Sequence, residues 1–254
     1  PIYFIGTSNN PIKIYSSDNT GQGIAILKAK KRSKLEYVNI SNQTNPKQGS
    51  WSLTGAVTFY ESPVDIIHCQ FSDNNSEDAL NIVRSDFILS NSILANTSSD
   101  ALDADFSNGT IKQTSFVNLG NDGIDISGSS INIHDVTITK VGDKGLSAGE
   151  ASLMQVNKVT IKDAEIAVSS KDQSNIVIQN LLMTNSNVGL AVFQKKSEFG
   201  PAMVDIKTLT SSNIKVPYLL EKGSKVSVNG KKLNQYRDDV KALLYGAEYG
   251  KSSK

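Results

Sequence analysis

The chain is poor in the residues that build most metal and redox sites. It holds one cysteine, Cys69, and two histidines, His68 and His134. A single thiol excludes an internal disulfide framework and any multi-thiolate metal site, and two histidines exclude a His-rich zinc cage. Proline is scarce too, with six in 254 residues, and the 18 glycines follow no three-residue period. Collagen and Pro-rich disorder are therefore excluded. Neither sign of charge dominates, since 26 Lys and Arg face 25 Asp and Glu. No global field draws the chain to nucleic acid or a membrane surface. No apolar run reaches the length of a membrane span, and no signal peptide is visible. The chain opens at Pro1 without a Met, already inside a strand-like run, Ile2–Ile5. It is expected to be a mature product or a piece of a longer protein.

Sustained helical periodicity is missing from residues 51 to 212. What stands there is a repeat. A small residue followed by an apolar one recurs at Ala56, Ala79, Ala101, Gly123, Gly145, Ala167 and Gly189, at intervals of 23, 22, 22, 22, 22 and 22 residues. A remote copy begins at Gly23, before a polar insertion near Ser41–Ser52. Another is expected from Lys215, after an insertion around Gln194–Pro201. Further apolar columns run Ile66, Leu89, Ile111, Ile133 and Phe71, Leu94, Phe116, Ile138. Between them polar and apolar residues alternate with strand period, and Asn, Ser, Asp and Gly mark the turns.

Such a unit, with short strands and no helix, is one coil of a parallel β-solenoid whose equivalent residues stack in ladders about 4.8 Å apart. The leucine-rich frame, the hexapeptide solenoid and the calcium-binding nonapeptide are absent. The fold class is therefore all-β, a right-handed single-stranded parallel β-helix. It is expected over residues 1–228, with a C-terminal cap helix and tail over 229–254. Leu233, Tyr236, Val240, Leu243 and Leu244 take helical spacing over 233–245, which reads as a cap on the open end, and Lys251–Lys254 as a disordered tail.

The outward positions of the first strand hold the candidate chemistry. One ladder reads Thr58, Asn81, Asp103, Asp125, Ser147, Ser169, Ala191; the next reads Tyr60, Val83, Asp105, Ser127, Gly149, Lys171, Phe193. Asp78, Asp100, Asp122 and Lys144 precede the small column; the three acids read as turn caps that bond backbone N–H groups, and Lys144 as charge relief at the ladder's end. Asp103, Asp105 and Asp125 lie within the strand face. They are candidate catalytic groups, with Lys144 and Lys171 beside them, or alternatively part of a solvated face. Two carboxylates on adjacent rungs repel, so a cation, a lysine or a shared proton should relieve them. Three uses stay open: acid and nucleophile of glycoside hydrolysis, Ca²⁺ held by Asp103, Asp105 and Asp125 with a lysine base, or plain recognition of sugar hydroxyls. Tyr60, Arg84, Glu150, Asp172, Lys195 and Lys196 are the candidate substrate-binding residues around them. His68 and His134 fall on different columns and read as surface residues. Cys69 reads as a buried thiol, and the basic run Lys28–Lys34 as a solvated face.

The strings T-G-A-V-T-F-Y-E-S (54–62), S-E-D-A-L-N-I-V-R-S (76–85), G-N-D-G-I-D-I-S-G-S (120–129), G-D-K-G-L-S-A-G-E (142–150), S-S-K-D (169–172) and Q-K-K-S-E-F-G-P-A (194–202) resemble bacterial β-helix-repeat modules of the pectate-lyase-like superfamily. The resemblance implies the right-handed β-helix, contact with a polysaccharide, and a secreted, periplasmic or cell-surface location as part of a larger protein with an upstream domain. The polygalacturonase, pectate lyase and alginate epimerase signatures are missing: N-D-G-I-D at 121–125 echoes only one element. The first expectation is thus a module that binds an acidic polysaccharide. A polysaccharide lyase, epimerase or hydrolase is the alternative, and a structural or fibre segment the second alternative.

Overall fold

The computed structural model describes residues 1–246. Its strands wind into a parallel β-solenoid of about 10 turns, with ~22 residues per turn. Each coil contributes one strand to each of three faces. The first face runs through Ile24–Leu27, Gly55–Tyr60, Asp78–Val83, Asp100–Asp105 and Ile124–Ser127, then through the ends of four long strands. These are Val136–Gly149, Leu153–Lys171, Asn175–Phe193 and Met203–Glu221, each of which bends through two or three faces without a break.

Register follows the repeat. Val57, Leu80, Leu102, Ile124, Leu146, Val168 and Leu190 pair rung to rung, and all are fully buried. The second-face ladder extends the column read from sequence in both directions, from Phe4 and Leu35 to Ile206 and Val228. Each buried Leu or Ile contributes roughly 1.5–3 kcal/mol against exposure. The stacked ladders therefore supply the stability that no single coil has. The small column is a steric requirement: a Cβ on Gly123 would sit 2.7 Å from the Gly145 carbonyl oxygen and 3.0 Å from the Ile138 methyl.

Two features of the corner after the first face explain its shape. Lys28, Glu61, Arg84, Phe106, Glu150 and Asp172 all take positive φ, as does Gly128 in the same column, so each strand ends in a left-handed residue that turns the chain. Next comes a ladder of buried serines. The Ser62, Ser85, Ser107, Ser129 and Ser152 N–H groups donate to the Oγ of Ser85, Ser107, Ser129, Ser152 and Ser174 at 2.7–3.1 Å. Buried donors freed by the turn are satisfied one coil further on.

The ends depart from the sequence reading. The copy after Gly189 begins at Pro217, not Lys215, because Leu190 pairs with Tyr218. The six-residue helix α1 (Val240–Tyr245) is much shorter than 233–245, since Tyr236–Arg237 instead forms a strand paired with Leu220–Glu221. Nor does α1 cap the open end. It lies on the outer side of the first face, where Val240 and Leu244 pack on Ile166, Val188, Ala191, Phe193 and Leu219. The turn at Asn229–Gly230 folds Lys231–Lys232 back onto the last second-face strand, and Leu233 packs against the core. The apolar spacing of 233–245 is real, but it serves two surfaces instead of one helix face. The tail expectation for Lys251–Lys254 lies outside the described residues.

Candidate carbohydrate groove on the first face

Asp103 and Asp125 are paired in register, as are Asp105 and Ser127, so the three acids stand on neighbouring rungs of one outward face. All three are half-buried. Of the turn acids, Asp100 and Asp122 behave as caps, whereas Asp78 Oδ2 is buried without a partner among the described residues. Asp100 Oδ1 accepts from the Asp122 N–H (2.9 Å) and from Asn121 Nδ2 (2.6 Å). Asp122 Oδ1 accepts from the Lys144 N–H at 2.9 Å. Each cap thus ties one coil to the next.

The repulsion between Asp103 and Asp125 is relieved in three ways. Asn81 Nδ2 donates to Asp103 Oδ2 at 3.1 Å. The Lys171 ammonium lies 3.7 Å from Asp125 Oδ1. Burial, with the Asp78, Asp105, Asp125 and Asp100 carboxylates around it, pushes the Asp103 carboxyl up to about 9, so it carries a proton at neutral pH. Asp105 is raised in the same direction by burial and then by Asp125 and Glu150, with Lys196 opposing. Burial also raises Asp78 and Asp122 to about 7, against the Thr54 hydroxyl and the Lys144 ammonium respectively.

The calcium expectation has no ligand cage behind it. Asp103, Asp105 and Asp125 share a face, but among the described residues no three His, Cys, Asp or Glu groups converge to hold a metal ion. A strand face spreads its side chains at rung spacing, whereas Ca²⁺ needs six or more oxygens at one point. Lys144 is also ill-suited to act as a base. Burial works to lower its ammonium, but Asp122 (3.4 Å) and Asp143 (2.5 Å) outweigh that and raise it.

The surrounding candidates divide. Tyr60 lies on the Asp105 ladder, two rungs away, and is half-buried. The Arg84 guanidinium sits 5.7 Å from the centroid of Phe106, an exposed ring one residue beyond Asp105 that went unnoticed as a candidate in the sequence. Gly128 makes room for it, since a Cβ there would fall 2.7 Å from the ring. Lys196 is ion-paired to Glu150. Lys195 stands over the Tyr245 ring of α1 at 5.3 Å. Asp172 does not face a ligand: it is buried, and its Oδ1 accepts from the N–H groups of Lys195 (2.6 Å) and Lys196 (2.7 Å), which pins the insertion across the face. Away from this face, His68 stacks on Tyr37, and Cys69 is 2% exposed with burial raising its thiol to about 11.

Ser147 and Ser169, next on the Asp125 ladder, are fully buried. Their hydroxyls have no hydrogen-bond partner among the described residues, and Asp78 Oδ2 is buried without one as well.

A family described as the right handed beta helix region matches residues 1–152 and 55–201. The chain belongs to this family, and the handedness expected from the repeat is that of the family. No curated protein matches the chain. Among solved structures it is similar to the catalytic domain of a GH87 alpha-1,3-glucanase, seen as an aspartate-to-alanine variant in complex with tetrasaccharides, at 9% identity and a TM-score of 0.49. That match covers 85% of this chain and 58% of the glucanase chain. It is also similar to the A-module of a mannuronan C-5 epimerase from Azotobacter vinelandii, at 11% identity over 82% of this chain and 77% of that one, with a TM-score of 0.33. These likenesses concern the fold. This chain spans little more than half of the glucanase domain.

Proposed function

We propose that the first face binds a polysaccharide, with Asp103, Asp105 and Asp125 at the centre of the contact. The observation that carries this reading is the stacking of Asp103 on Asp125 in register, with Asp105 on the next outward ladder, as half-buried acids of one face. Asp103, its carboxyl raised to about 9 by burial, adds an O–H donor to the acceptor oxygens of this face. Sugar hydroxyls both donate and accept, so such a face matches them along its length. Phe106 and Tyr60 add aromatic surface at its edge. An acidic polymer was the expectation, but the lysines argue for an uncharged one. Lys144, Lys171 and Lys196 are each within ion-pair distance of a carboxylate, and Lys195 is held against Tyr245. The resemblance supports placing this face on a secreted or surface module of a larger protein.

A second reading, glycoside hydrolysis, is favoured by one feature. Asp103 holds a proton, and Asp125 stands one rung on, about 5 Å along the stack, the separation that serves retention, with the Lys171 ammonium 3.7 Å from its Oδ1. The test is an array of glucans, mannans, galactans and polyuronates, with and without Ca²⁺. Uncharged polymers should bind without the metal. The double variant Asp103→Asn with Asp125→Asn should lose roughly tenfold or more in affinity while its melting temperature holds or rises. Failure to bind any polymer, or unfolding of the double variant, would overturn the proposal. Release of reducing ends would establish hydrolysis, and unsaturated products would establish a lyase.

A further inference from the structure

The second face changes character over its last coils. One outward ladder reads Thr110, Asn132 and Gln155, then Val177. Beside it, Asn175 is followed by Met203 and Lys225. Val177 and Met203 are half-buried, and neither belongs to the apolar core. Beyond Lys225 the chain folds back: Lys232 stands opposite Ser227, and the Leu233 N–H donates to the Val226 carbonyl at 2.9 Å. Leu233 and Tyr236 of this return segment, with Val177 and Met203, line a cleft of about 440 Å³, a size that holds a small molecule. Lys225 and Lys232 line it as well. Both are exposed, and neither has a carboxylate within ion-pair distance among the described residues. The acid in the lining, Asp205, is held by Lys207 at 2.6 Å.

From this we propose that the cleft binds a small aromatic carboxylate, at a site separate from the carbohydrate face. Apolar side chains left half-covered reward a hydrocarbon body that removes them from water. Two of the lining residues favour an aromatic one. The Tyr236 ring, 41% exposed, offers a surface for stacking, and the Met203 thioether is a good neighbour for a ring edge. The two unpaired ammonium groups favour an anion, and a carboxylate has acceptor oxygens for both. A neutral sugar fits worse, because its hydroxyls would be set against Val177, Met203 and Leu233 without partners. Asp103, Asp105 and Asp125 take no part in this site, so its test is independent of the carbohydrate reading.

Anilinonaphthalene sulfonate, an aromatic anion whose fluorescence rises in apolar surroundings, is the probe. One molecule should bind per chain. Para-hydroxycinnamate should displace it at roughly tenfold lower concentration than the neutral para-hydroxycinnamamide does. The double variant Lys225→Ser with Lys232→Ser changes only exposed side chains, so its fold should hold. It should bind the sulfonate roughly tenfold more weakly and lose the preference for acid over amide. Tyr236→Ser should weaken acid and amide alike and keep the preference between them. Absence of probe binding, equal displacement by acid and amide, or a double variant that binds like the parent would overturn the proposal. So would a Tyr236→Ser variant that binds both compounds like the parent. Loss of polysaccharide binding on adding para-hydroxycinnamate would put the anion on the first face, and would overturn it too.

Discussion

Asp103 shows how a neighbour one coil away sets the chemistry of a side chain. Its carboxyl stays protonated because burial and four acids penalise its charge, while Asn81 supplies a neutral donor. A carboxyl raised in the folded state stabilises the protein fully below the unfolded value near 4, and that contribution is lost as pH rises toward about 9. Asp103→Asn removes the dependence. The variant's melting temperature should match the parent near pH 4 and exceed it increasingly up to pH 9, as differential scanning calorimetry would record. A constant difference across that range would mean that Asp103 is charged in the native state. The pairing of Asp103 with Asp125 was legible in the repeat. Its protonation was not, because the Asp78 and Asp100 carboxylates that surround it come from corners whose approach depends on the coil's radius.

Among the elements, the buried serine ladder went unread although its spacing was in the chain. Ser62, Ser85, Ser107, Ser129, Ser152 and Ser174 keep the same 22–23 residue interval as the small column. A polar residue at a turn reads as exposed until its N–H is known to be buried. Ser107→Ala would strand the Ser85 N–H and should destabilise by about 1–3 kcal/mol in urea unfolding. The small column gives a sharper case. Gly123→Leu must displace the Gly145 backbone, and should cost at least roughly 1–3 kcal/mol. A melting temperature equal to that of the parent would show the corner to be loose. Helix α1 belongs to the same scale. Its two anchors, Val240 and Leu244, were correctly identified as apolar, but nothing in their spacing says whether they meet the open end or the side of the solenoid.

For the whole molecule, the single cysteine is a built-in reporter. Cys69 is buried and its thiol raised by that burial, so a thiol reagent should label native protein slowly and unfolded protein at once. Labelling across a denaturant series should therefore follow the loss of circular dichroism. Fast labelling of native protein would show that the second and third faces open locally near Cys69. The coil, its length, its ladders and the acids they align follow from a period alone, because parallel stacking puts residues one repeat apart at the same place whatever the rest of the chain does. The seat of α1 on the first face and the engagement of Lys195 and Lys196 depend on where non-repeating segments fold back. Those segments have no periodic partner, so their positions are set by side-chain packing and ion pairs that exist only once the solenoid has formed.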